Sequence, residues 1–277
     1  MDVIVDGLSF AEGPRWRDDR LWLSDFFTES VLAVGLDGSV ATVAQVPGGP
    51  SGLGWLPDGR LVVVAIQQRR LLRLEDGALV EHADLSRHAS YPCNDMVVDA
   101  AGRAYVGACD FGGLPNPATS ELLLVAPDGA VTVADPSLRF PNGAVVTDGG
   151  ATLVVAESTG SCLTAFSVGD GGALSDRRTW APLDGGVADG ICLDAEGAIW
   201  YADPVHRCCV RVREGGEVLG RVDTAQRCYA CALGGPDGTL LFLVTGKLLA
   251  AVDALARRPG RVEAVTVEVP AAGAAPG

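Results

Sequence analysis

No apolar run in this chain is long enough to cross a bilayer, and its start, "MDVIVDGLSF", lacks the basic opening and apolar core of a signal peptide. The expectation is a cytoplasmic protein with no membrane partner. Basic residues are scarce as well. Against 35 Asp and Glu stand 21 Lys and Arg, and the formal net charge of -14 opposes binding to phosphate backbones, so nucleic acid is excluded as a partner. No long stretch carries a helical period. There is also no G-x-S-x-G motif, and the three histidines, His82, His88 and His206, fall in separate segments, which leaves a serine-nucleophile triad unsupported.

What is present is ample material for a core, with 48% apolar and 20% charged residues. The Ala, Gly and Pro tail is the exception, and residues 271–277 are expected to be flexible. Eight cysteines are spread over more than half the chain and read as reduced and mostly buried. Cys208-Cys209 with the Cys-x-x-Cys of Cys228 and Cys231 could in principle hold zinc. Against that, residues three apart on a strand face opposite ways.

Tight-turn signals recur along the chain in two interleaved series. The first is "RDDR" at 17, "PDGR" at 57, "DAAGR" at 99, "TDGGA" at 147, "DAEGA" at 194 and "PDGT" at 236. Each sits between short runs of strand character, such as "GLGWL" and "LVVVA" or "GICL" and "AIWYA". The second series, "LDGS" at 36, "EDGA" at 75, "PDGA" at 127, "GDGGAL" at 169 and "EGGE" at 214, has "ARRPG" near 256 as a degenerate sixth member. Two hairpins per unit, repeated at a period of roughly forty to fifty residues, are the mark of a propeller blade. The chain therefore reads as all-β: one six-bladed β-propeller over residues 1–270, with four antiparallel strands per blade. The extra N-terminal run "DVIVDG" is expected to pair with "RVEAVTVEV" and close the ring.

Equivalent blades should offer equivalent residues to the central axis. Aligned on the small residue that often follows, these are Glu12, Ser51, Asn94, Asn142, Asp189 and Cys231. Four of them carry carboxylate or carboxamide oxygens. Glu12 and Asp189, brought together in a channel of low dielectric, would repel each other unless a cation or protons intervened. Oxygen ligands without His or Cys favour a hard divalent ion, and side chains too few to fill its shell leave positions for water and substrate. The same residues could instead be ordinary turn formers, since Asn, Asp and Ser begin turns readily.

With "AEGPRW", "CNDMVVDAAGRAYVG", "PNGAVVTDGGATLVVAES" and "DGICLDAEGAIWYAD" in this order, the chain resembles the SMP-30/gluconolactonase/luciferin-regenerating-enzyme-like (LRE) family nearly end to end. That resemblance implies a metal-dependent lactonase or esterase. It assigns Glu12, Asn142 and Asp189 as metal ligands and Asn94 as a neighbouring polar residue that contacts substrate or a ligand water. One divalent cation is implied, Ca²⁺ first, with Mg²⁺, Mn²⁺ or Zn²⁺ as alternatives. Asp189 is the first choice as general base and Asn94 the residue that orients substrate. Tyr91, Asp110, Phe111 and His206, with Phe10 and Phe140, are candidate pocket residues, whereas Trp16 reads as core and His82 and His88 as solvated loop residues.

Two departures bear on substrate. Pro92 in "YPCND" stands where sugar-lactone enzymes of the family have Arg, and Gly112 in "ACDFGG" stands where they present an acid, with Asp110 nearby. The expected substrate is a small lactone or ester with fewer hydroxyls. A lyase, isomerase or cyclase on the same scaffold, or a propeller that binds without catalysis, are the alternatives. Substrate, native metal and oligomeric state, monomer or homo-oligomer, are left open at this level.

Overall fold

The computed structural model describes residues 1–111 and 119–273. Six four-stranded antiparallel sheets form a six-bladed propeller. Blade one is β2 (Ala11–Arg17), β3 (Arg20–Asp25), β4 (Ser30–Val34) and β5 (Val40–Gln45), with β2 innermost. Blades two to five repeat it with β6–β9 (Pro50–Asp84), β10–β13 (Cys93–Leu138), β14–β17 (Pro141–Pro182) and β18–β21 (Ile191–Asp223).

Blade six is composite. It orders β22 (Arg227–Gly234), β23 (Leu240–Gly246) and β24 (Gly260–Thr266) before the N-terminal strand β1 (Asp2–Leu8), which pairs antiparallel with β24. Closing the ring this way removes the need for a hairpin after β24. "ARRPG" is therefore not a sixth member of the outer-hairpin series. It lies in the β23–β24 connection, which contains the short helix α1 (Ala251–Arg257). Of the residues expected in a flexible tail, Ala271 and Ala272 donate backbone hydrogen bonds to Gly238 and Leu193.

The turns read from sequence sit where expected. Gly59 and Gly129, both near φ 86–88°, allow the tight reversals after Asp58 and Asp128. The core is not a single mass, because each blade buries both faces. Six apolar clusters fill the six seams between neighbouring blades, including blade six against blade one through Leu21, Leu23, Phe242 and Val244. Trp16 belongs to that seam as expected. It stacks on Phe242 at 5.4 Å between ring centroids. His82 departs from the loop expectation: it lies within β9 (Ala78–Asp84), half-buried, with Nδ1 3.3 Å from Arg73 Nη1.

Candidate active site at the channel mouth

Five of the six innermost strands share one irregularity. Register shifts fall between Glu12 and Arg15, Pro50 and Leu53, Cys93 and Met96, Pro141 and Ala144, and Cys228 and Ala230. An extra residue of this kind bends a strand and re-aims a side chain. Here it recurs where five of the six inner strands begin, so the residue at that point turns toward its neighbours around the axis; β18 (Ile191–Leu193) of blade five pairs without a shift, and Asp189 just before it is held by its amide on the Ala202 carbonyl at 2.9 Å.

Along one arc of the ring these residues are bonded side chain to side chain. Ser51 Oγ donates to Asn94 Oδ1 at 2.9 Å, and Asn94 Nδ2 donates to Asn142 Oδ1 at 3.3 Å. Asn142 Nδ2 donates to Ser158 Oγ at 3.3 Å, and its carboxamide lies within hydrogen-bonding reach of the Asp189 carboxylate. Glu12 and Asp189 are each partly accessible. Burial raises the Glu12 carboxyl well above its ordinary range; Asp189 and then Asp95 add to the rise, while the Gly13 amide and Arg15 oppose it. Asp189 is raised chiefly by burial and then by Asp95, with the Asn142 hydrogen bond pulling the other way.

Close approach of the inner strands explains the glycine that follows Ser51 and Asn142. A Cβ on Gly52 would lie 2.4 Å from the Met96 nitrogen, and one on Gly143 2.5 Å from the Ile191 nitrogen. Gly143 instead donates its amide to the Asp189 carbonyl at 3.1 Å, which ties blade four to blade five.

That tie corrects the sixth position. Gly190 donates to the Tyr229 carbonyl at 2.9 Å, as Gly143 does to Asp189, and Cys228 occupies the bulge position held by Cys93 in blade three. Tyr229, not Cys231, is the sixth ring residue. The run "YACA" offers two alanines as the small follower, and spacing alone does not choose between them. Tyr229 packs its ring on Phe10 at 4.7 Å.

Cys231 instead points into the seam between blades five and six. Its Sγ lies 3.7 Å from Cys192 Sγ, within a cluster that also holds Cys209 and Cys228. The bulge resets the strand's phase, so Cys228 and Cys231 share one side, contrary to the simple alternation expected of a strand. All eight cysteines are free. Burial drives these thiols up, Cys209 to about 12. Among the described residues no group of three or more His, Cys, Asp or Glu is arranged to hold a metal, which leaves zinc at the cysteines without support.

Below the ring a second charged layer went unrecognised in the sequence. Arg15 Nη2 contacts Asp95 Oδ1 at 3.2 Å and the Met96 carbonyl at 2.7 Å. With Glu12, Asp95 and Asp189 all ionised, the one guanidinium of Arg15 would leave two negative charges uncompensated at the channel mouth, and the raised Glu12 and Asp189 carboxyls resist that state. A donor set of two carboxylates and two carboxamides with that deficit fits a hard divalent cation.

The pocket candidates gather at the same end of the propeller. Tyr91 is half-buried against the seam of blades two and three, and Asp110 is partly buried. Phe111 is exposed and meets Phe140 edge to face at 5.8 Å. His206 is half-exposed in the β19–β20 connection, with Nδ1 2.8 Å from Asp203 Oδ2. Gly112 lies outside the described residues. A separate cavity of about 400 Å³, lined by Lys247, Arg257, Arg258 and Arg261, sits on the outer strands of blade six and includes no ring residue.

A six-bladed propeller with an all-oxygen ring at the mouth of its channel is the class of protein that fold and site define. Residues 10–247 match the SMP-30/Gluconolactonase/LRE-like region, and the chain belongs to that family. The pentonolactonase XacC of Haloferax volcanii is 26% identical over 251 residues, covering 88% of this chain and 84% of that protein. The calcium-binding protein regucalcin of Agrobacterium tumefaciens superposes with a TM-score of 0.83 at 20% identity, covering 98% of this chain and 95% of that one. A gluconolactonase of Xanthomonas campestris superposes with a TM-score of 0.78 at 24% identity, covering 97% and 88%.

Proposed function

We propose that this protein is a divalent-cation-dependent hydrolase of a small lactone or ester. The observation that supports the reading is the ring itself: Glu12, Asn142 and Asp189 converge with Asn94 at one mouth of the channel, where burial and mutual repulsion make ionising both carboxyls costly unless a cation lies between them. Glu12, Asn142 and Asp189 are the residues that would hold the cation, with Ca²⁺ the first choice. When bound, the ion supplies Lewis-acid polarisation of the scissile carbonyl.

The chain's own residues do the rest. Asp189 takes a proton from the attacking water as its oxygen adds to the carbonyl carbon, and returns that proton to the alkoxide released when the ester C–O bond breaks. Asn94, held by Ser51 and Asn142, orients the substrate. Tyr91, Phe10, Phe111, Phe140, Asp110 and His206 form the surrounding wall. With Pro92 in place of a basic side chain, and aromatic rings around the mouth, the substrate is a lactone with few hydroxyls. Eight free thiols suit a reducing compartment, in keeping with a cytoplasmic enzyme.

The test is turnover of a lactone and ester panel by purified protein, with chelator and with Ca²⁺, Mg²⁺, Mn²⁺ or Zn²⁺ restored. Glu12→Ala and Asp189→Ala are expected to abolish cation-stimulated hydrolysis in a folded β-protein. Full activity of either variant, or cation binding by wild type with no turnover of any lactone or ester, overturns the reading.

A further inference from the structure

Three blades of the six carry the candidate ligands, and the same three share a second feature. In blades one, four and five the second strand ends on a buried acid: Asp25 on β3, Glu157 on β15 (Thr152–Glu157) and Asp203 on β19 (Ile199–Asp203). Strand register places Ala65, Ala108 and Thr245 at the matching points of blades two, three and six.

Each acid grips the loop that leads into its own blade's ligand. Asp25 accepts the amides of Ser9 at 3.1 Å and Phe10 at 2.8 Å, just before Glu12. Glu157 accepts the amide of Arg139 at 2.7 Å, before Asn142, and is braced by Thr164 and Arg177. Asp203 accepts the amide of Val187 at 3.1 Å, before Asp189, and also the amides of Val205 and His206 and the His206 imidazole. A carboxylate accepting several amides makes charge-assisted bonds stronger than neutral ones, and it fixes backbone more tightly than packing alone.

We infer that Asp25, Glu157 and Asp203 are positioning residues for the cation site: each locks the loop that delivers one of Glu12, Asn142 and Asp189. The inference rests on the cation reading above. Its physical content is preorganisation. Carboxylates that repel one another are held at ligand distance by the backbone, so the ion does not have to gather them.

The experiment is Ca²⁺ titration by calorimetry on chelator-treated protein, paired with thermal melting. Asp203→Asn and Glu157→Gln each replace one acceptor oxygen by an NH₂ that faces donors. Both are expected to weaken the Ca²⁺ dissociation constant by about tenfold or more. The control is Asp194→Asn, in blade five itself. Asp194 holds the amides of Glu196 and Ala198 and the Arg211 guanidinium at the opposite end of that blade, so its loss lowers the melting temperature and leaves the dissociation constant unchanged. Wild-type affinity in folded Asp203→Asn and Glu157→Gln overturns the inference, as does an equal weakening by Asp194→Asn. Should Asp203→Asn fail to fold, Asp25→Asn and Glu157→Gln decide it. Absence of Ca²⁺ binding by wild type refutes the cation reading itself, a different result from binding that the variants leave untouched.

Discussion

Arg15 and Asp95, 80 positions apart in sequence, form an ion pair at 3.2 Å inside the channel, with side chains only 16% and 10% exposed. The pair lies three residues beyond Glu12 on one strand and one beyond Asn94 on another, and so belongs to the layer beneath the ring. Removing one partner of such a pair leaves a buried charge uncompensated. Arg15→Met is expected to lower unfolding free energy by roughly 3–5 kcal/mol in chelator. The same change leaves three carboxylates unopposed, so affinity for Ca²⁺ should rise. Denaturant titration and Ca²⁺ calorimetry read the two effects, and a fall in both stability and affinity would contradict this account of the charge balance.

The raised carboxyls give a pH signature. Between the ordinary carboxylate value of about 4 and the higher value of the folded state, the folded chain holds more protons than the unfolded one, so these groups lower stability as pH rises. Glu12→Gln removes one of them. In chelator it should melt above wild type at neutral pH, with the difference shrinking as pH falls toward about 4. Saturating Ca²⁺ should reverse the order, because only wild type then gains from the ion. Melting curves across pH with and without Ca²⁺ are the measurement; an unchanged order in both conditions would show that Glu12 does not face the cation.

Gly143 is sterically committed. A methyl group there meets three backbone atoms, the Ile191 nitrogen at 2.5 Å, the Asp189 oxygen at 2.8 Å and the Gly190 Cα at 2.9 Å, none of which can rotate away. Gly143→Ala should cost roughly 1–3 kcal/mol, the usual range for overpacking, and should weaken Ca²⁺ binding by moving Asn142 from Asp189. Retention of wild-type stability in chemical denaturation would mean that blades four and five can separate at no cost.

Much of this was legible in the residues. Glu12, Asn94, Asn142 and Asp189 fall at one phase of the repeat, and the structure brings them to one mouth because equivalent strands begin at equivalent heights. The sixth position was not legible, since Ala230 and Ala232 both serve as the small follower and only the Gly190 to Tyr229 hydrogen bond decides between them. Nor were Arg15 and Asp95, because the contact joins neighbouring blades whose seam leaves no trace in spacing. The buried acids Asp25, Glu157 and Asp203 stand in plain view in "SDF", "AES" and "ADP", yet nothing local tells a latch from a surface charge.

By itself the sequence determined the repeat, the number of blades and the phase at which Glu12, Asn94, Asn142 and Asp189 recur, because turn chemistry and strand alternation are short-range and survive in the order of residues. Tertiary structure alone decided which side chains share the channel mouth, how their charges sum and which acids hold them in place. Those properties depend on distances between blades, and such distances are set by bulges and glycine contacts that no single segment encodes.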